Sequence, residues 1–124
     1  MTASPMITIS SEDADRLARL LEARHGDIVE QLEDELVRAH IIPLADMPAD
    51  VARLGSRVRY ESDGTTRDVV LVWPHEASLA ESRISVLSPI GAALLGLRPG
   101  QRIAWPLPGD RTAELTALSV EQPL

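Results

Sequence analysis

An α+β fold is predicted, built from two parts. Residues 1–45 form an extended lead-in and an acidic, antiparallel helical hairpin, a short coiled coil. Residues 46–124 form a small domain with an antiparallel sheet of four to five strands and one short helix. Three observations lead there. Apolar residues recur at helical spacing in two stretches of the first forty residues. Short runs of period two, separated by turns marked with Gly and Pro, fill the second part. Between them Pro43 and Pro48 rule out one continuous helix through residues 41–50.

Residues 6–10 alternate weakly and read as a short strand or an extended lead-in. Ser10 and Ser11 followed by Glu12 and Asp13 mark a helix start, with acidic side chains in the first turn, where the helix dipole favours them. Ala14, Leu17, Leu20 and Leu21 make one apolar face. Residues 24–27 interrupt the pattern, which resumes with Val29, Leu32, Leu36 and Ala39, spaced three, four and three apart as along a coiled-coil seam. Two helices of about 13 residues joined by so short a turn pack as a hairpin, roughly 20 Å long.

Strands follow the connector. Val58 and Tyr60 alternate with Arg57 and Arg59, and Asp63-Gly64 marks a hairpin turn. Residues 69–73 are apolar on both faces and are expected to form a central strand. The run from Ile84 to Gly109 reads as strand, capped helix, tight turn and strand. Ser88 is placed as the N-cap and Pro89 as the first helical residue. Ile90, Ala93, Leu94 and Leu97 form a one-sided stripe, Gly96 ends the helix left-handed, and Pro99-Gly100 turns the chain. Ile103, Trp105 and Leu107 share a strand face. In the last strand Ala113, Leu115 and Ala117 are in phase while Leu118 and Val120 are not, which predicts a bulge or a change of neighbour near Ala117.

Composition narrows the chemistry. With no Phe, one Tyr and two Trp the core is aliphatic, and the absence of Cys removes disulfides, thiol catalysis and Cys-ligated zinc. No apolar run approaches the roughly 18 residues of a membrane span, and the start lacks a basic, signal-like segment; the cytoplasm is the expected location. Residues 1–50 carry 11 carboxylates against four Arg, whereas residues 51–124 carry eight of each, so the whole net charge of −7 lies in the first part. No basic stripe exists for a phosphate backbone, which argues against direct DNA binding. His25, His40 and His75 read as a turn residue, a helix C-terminal residue and a loop residue. No catalytic triad spacing, phosphate loop or nucleotide fingerprint occurs. No cofactor, no metal and no enzyme activity are expected.

The stretches 46–51, 56–60 and 84–109, above all Ser88-Pro89-Ile90-Gly91 and the Ala-Ala-Leu-Leu-Gly that follows, resemble the GreA/GreB family of transcription factors, and most nearly its short-armed Rnk branch. The resemblance implies an FKBP-like carboxy-terminal domain and a partner, bacterial RNA polymerase, gripped at the rim of its secondary channel through Ser88, Pro89, Ile90 and Gly91. Leu87 stands where some relatives carry an acidic residue.

The hairpin tip resembles that of full-length Gre arms, whose Asp and Glu help hold a catalytic Mg²⁺ in the polymerase; the matching residues are Asp27 and Glu30. Two carboxylates at i and i+3 can approach one hard cation. The same pair also fits a helix cap, Asp27 as N-cap and Glu30 as its capping-box partner. The short arm favours the cap. The leading expectation is a non-catalytic regulator that competes with Gre factors on the polymerase. A transcript-cleavage factor using the tip carboxylates is the second reading. An FKBP-like prolyl isomerase is the third, and three aromatic residues are few for such a pocket.

Overall fold

The computed structural model describes residues 6–107 and 109–122. The chain opens with strand β1 (Thr8–Ser10), helices α1 (Ser11–Glu22) and α2 (Asp27–Arg38), and strand β2 (His40–Ile42). Ser10 ends β1 and caps α1: its hydroxyl accepts from the Asp13 amide at 3.1 Å and satisfies an otherwise orphan N–H of the first turn. Each helix has 12 residues. The weakly alternating lead-in is a true strand, because β2 returns beside it in parallel, Thr8 opposite His40 and Ser10 opposite Ile42. His40 is therefore a strand residue, its amide bonded to the Ile7 carbonyl at 2.9 Å, and not a helix C-terminal one.

The second part is a five-stranded sheet: β3 (Arg57–Ser62), β4 (Thr65–Val72), β5 (Arg83–Ser85), β6 (Arg102–Leu107) and β7 (Arg111–Glu121), ordered β5-β4-β3-β7-β6. Asp63 and Gly64 both have positive φ, 51° and 78°, as a two-residue hairpin turn matched to strand twist requires. The sheet is mixed where a wholly antiparallel one was expected: β5 runs parallel to β4. A parallel neighbour needs a crossover, and residues 73–82 supply it through two 3₁₀ turns, Pro74–Glu76 and Leu79–Glu81. The apolar stretch in β4 is an interior strand, but the middle of the sheet is β3. Arg59 pairs with Ser119 and Tyr60 with Ala117, so Leu118 is the extra residue of a bulge, where the phase slip placed one.

Helix α3 (Pro89–Leu94) packs on β6 and β5. It ends at Gly96, whose φ of 81° suits glycine, and a Cβ there would lie 2.5 Å from the Ile7 Cβ. The Gly96 amide bonds the Ala52 carbonyl and the Ala52 amide bonds the Leu97 carbonyl, both at 2.8 Å. The lead-in, the connector and the end of α3 are thereby held together at one point.

The helices do not project from the sheet. Ala14, Leu17, Leu21, Val29 and Leu32 are buried in the same apolar cluster as Val58, Leu71, Trp105 and Leu115. Leu17 and Leu32 are each 1% exposed, and burial of each stabilises the docked hairpin by about 1.5–3 kcal/mol. The Arg16 guanidinium stacks over the Trp73 ring, 4.2 Å from its centroid. The three–four–three spacing of α2 thus serves packing on the domain. Among the described residues, no helix is long and apolar enough to cross a membrane.

Asp13, near the start of α1, lies at this seam. Burial pushes its carboxyl above the usual range, opposed by a hydrogen bond from the Leu54 backbone and by the charges of Arg53 and Arg16. A carboxyl raised in the folded state binds its proton more readily than in the unfolded chain, so its contribution favours folding at acid pH and is lost as pH rises through the folded value. Asp13→Asn removes that loss. Urea unfolding at about pH 7 and about pH 4 is expected to show the variant gaining on the parent at neutral pH and the gain shrinking in acid. A pH-independent difference would remove Asp13 from the seam's titration.

Candidate functional site

The corner before α3 is built by short-range rules. Ser88 adopts an extended backbone, and its hydroxyl accepts from the Gly91 amide at 3.1 Å while donating to the Ser85 carbonyl at 2.7 Å. The Ser88 amide bonds the same carbonyl at 2.9 Å, and the Leu87 amide bonds the Ser85 hydroxyl at 2.9 Å. Pro89 occupies the first helical position, where no N–H is needed. Gly91 is buried, and a Cβ on it would sit 2.0 Å from the Ser85 carbonyl oxygen. Only glycine lets the first turn of α3 approach β5 so closely. Ser88, Pro89 and Ile90 remain half-buried, so the corner offers a partly exposed, rigid surface. Leu87 packs its side chain against the core, which is why an apolar residue suits that position.

At the hairpin tip the capping box is not formed. The N-cap of α2 is Gly26, at φ 121° and without a side-chain cap bond, and Asp27 is the first helical residue. Glu30 therefore stands one position too late to reach back to the cap amide as the capping box requires. Both carboxylates are exposed, and both lie in the first turn of α2, where the dipole favours negative charge. Among the described residues no group of three or more His, Asp or Glu is arranged to hold a metal ion.

The two sets of residues, 62 positions apart between Asp27 and Pro89, meet in space. Asp27, Ile28 and Gln31 line a cleft of about 110 Å³ with Pro89, Pro106 and Leu107. Glu30 is not among its lining residues. Gln31 and Pro106 also line a second cleft of about 250 Å³, which runs on along α2 past Asp34, Glu35 and Arg38, beside Ala104 and Trp105. Glu35 is buried and paired with Arg38. Along this seam the Gln31 Oε1 and the Trp105 indole N–H have no hydrogen-bond partner within the protein. The arm is seated beside the corner through packing and not through a complete polar network.

Two supporting features were not legible beforehand. Gln122 clamps the connector: its Oε1 accepts from Arg53 Nε at 2.8 Å and from the Ser56 hydroxyl at 2.7 Å, and its Nε2 donates to the Ala49 and Val51 carbonyls at 3.0 and 2.7 Å. A lone glutamine near the end of a chain carries no signal of such a role. The seating of α2 beside α3 and the clefts it shares with β6 were hidden for the same reason, since apolar spacing shows that a face is buried but not against what.

Residues 47–122 match the family model described as "Transcription elongation factor, GreA/GreB, C-term", and residues 5–42 match the model "Rnk N-terminus". The "Regulator of nucleoside diphosphate kinase" of Escherichia coli (strain K12) is 42% identical over 122 residues, covering 94% of this chain and 90% of its own. "Transcription elongation factor GreA" of Acidiphilium cryptum (strain JF-5) is 29% identical over 134 residues, covering 89% of this chain and 85% of its own. Among solved structures, the "Prokaryotic transcription elongation factor GreA/GreB from Nitrosomonas europaea" is similar with a TM-score of 0.77 at 36% identity. It covers 95% of this chain and 99% of its own.

The corner's geometry sets two stability expectations, read by denaturant unfolding. Gly91→Ala forces a Cβ into a backbone carbonyl and is expected to cost about 3 kcal/mol. Ser88→Ala removes a cap bond and is expected to cost about 1 kcal/mol. A Gly91→Ala protein as stable as the parent would show that α3 is not wedged against β5.

Proposed function

The chain belongs to the GreA/GreB transcription elongation factor family, and from that premise we propose that it is a non-catalytic regulator of transcription. It binds bacterial RNA polymerase at the rim of the secondary channel and competes there with Gre factors. The Ser88-Pro89-Ile90-Gly91 corner makes the contact. Residues 46–124 form its docking domain, of FKBP-like type, and residues 1–45 its short arm. A protein with this partner works in the cytoplasm.

One observation carries the reading: the hairpin tip lies beside the docking corner, with Asp27 and Pro89 lining the same cleft. Helices of 12 residues reach only about 18 Å, and these lie along the domain. A corner held at the rim keeps the tip at the rim too. The corner is a suitable contact because its shape is already fixed: Pro89 and the doubly bonded Ser88 lose little freedom on binding.

Transcript cleavage is the second reading, and one observation favours it. The Asp27 and Glu30 carboxylates are exposed and form no capping box, so they are open to a cation. In the leading reading they remain too far from the reacting phosphates to share one.

Binding of labelled protein to core polymerase, with and without excess Gre factor, tests the proposal. Saturable binding displaced by the competitor is expected, and Pro89→Ala is expected to weaken it roughly tenfold with the circular-dichroism melt nearly unchanged. No binding at micromolar concentration, or binding the competitor leaves intact, overturns it. On backtracked complexes the protein is expected to leave the transcript uncut. Cleavage that Asp27→Ala and Glu30→Ala each abolish would establish the second reading instead.

A further inference from the structure

The outer side of the helical hairpin carries a surface that polymerase docking through the corner does not use. Ala18, Leu21 and Glu22 of α1 and Glu33, Leu36 and Val37 of α2 line an open hollow of about 310 Å³ between the two helices. Of these, Leu21 belongs to the buried core and Leu36 packs partly against it. Val37 stands 86% exposed at the rim. A β-branched residue gains nothing for an exposed helix by its propensity, and its neighbours make the exposed apolar surface continuous rather than scattered.

Charge says what covers it. The segment 11–38 holds nine carboxylates and four Arg. Arg38 is paired with Glu35, Arg16 is stacked on Trp73 and Arg24 donates to the Leu20 carbonyl, so three of the four cations are engaged within the molecule. Glu22 and Glu33 flank the hollow from opposite helices. A second copy of this chain would bring a like-charged hairpin against it, both molecules carrying −7, which costs energy instead of contributing it. A partner of opposite sign gains on both counts. The hollow is lined from two adjacent helices, and a groove between packed helices accepts the side-chain ridge of a third.

We propose that this hollow is the docking site for a cationic amphipathic helix of another protein. One or two apolar side chains of that helix enter between α1 and α2 against Leu36 and Val37, and Lys or Arg side chains beside them meet Glu22 and Glu33. The surface lies on different residues from the Ser88-Pro89 corner, so the inference stands whether or not the polymerase is the corner's partner.

The test separates a built groove from general attraction to an acidic protein. The probe is a dye-labelled helical peptide of Leu and Lys, about 18 residues long, with its Leu on one face, titrated at about 0.15 M salt and followed by anisotropy. The parent is expected to bind it saturably, and a twin peptide with Glu for Lys is expected not to bind. Val37→Asp adds negative charge and leaves the core untouched. Groove docking predicts that it weakens binding roughly tenfold, whereas bulk attraction predicts equal or tighter binding. Glu22→Gln with Glu33→Gln is expected to weaken binding several-fold, while Asp46→Asn with Asp50→Asn, equal in charge removed, changes it little. Equal losses from both pairs, undiminished binding by Val37→Asp, or no binding by the parent overturns the proposal. So does sedimentation of the parent as a dimer that Val37→Asp disperses, since the occupant is then a second copy.

Discussion

The arrangement depends on one packing event, the burial of the hairpin's inner face in the core of the sheet domain. Leu17 and Leu32, one from each helix, enter the same cluster as Leu71 and Leu115. With them buried, α2 packs beside α3, its first turn next to Pro89, and shares clefts with β6. The outer seam of the same two helices is then turned to solvent, Val37 with it. A hairpin held only at its base would leave both apolar faces competing for cover. Burying one of them fixes which surface remains available, and Glu22 and Glu33 stand on that outward face.

The corner at α3 is organised on a different principle. Its rigidity comes from bonds over three or four residues, Ser88 to Ser85 and to Gly91, and from a contact so close that Gly91 admits no side chain. The Gly96 contact with Ile7 and the paired amide bonds between Ala52 and residues 96–97 tie its far end to the arm and the connector. Gln122 closes the connector from the other side. The corner and the arm are thus joined at both ends of α3, by the Ile7 contact at one and by the cleft at Asp27 at the other. A helix of six residues has little stability of its own; these external ties hold it.

What was legible in the sequence follows from range. The Ser88 cap, Pro89 at the first helical position, the left-handed Gly96, the Asp63-Gly64 turn and the bulge at Leu118 all obey rules that act within a few residues, and each stands where those rules place it. The parallel pairings of β1 with β2 and of β4 with β5 join segments that no local rule relates. The same holds for Gln122 and for the seating of α2. The tip cap failed for a finer reason. Gly26 and Asp27 are adjacent, and either can precede a helix; a φ of 121° at the turn needs glycine there, which moves the cap one residue earlier and breaks the capping-box spacing.

That one-residue shift changes what the tip carboxylates are for. With a formed box, Asp27 and Glu30 would be fully accounted for by the helix end, and nothing more need be asked of them. Without it they retain only the favourable but modest influence of the helix dipole, about 0.3–1 kcal/mol for an exposed charge, and stay free in solvent. Their freedom alone does not make a catalytic site, because position decides what a carboxylate can reach. Asp27 and Pro89 line one cleft; in the proposed function the Asp27 charge stands at the edge of the docking surface, acting on a charged partner over roughly 8 Å at physiological salt and not reaching the partner's interior. Under the proposed function, a short arm folded against its domain serves recognition at the surface and not insertion.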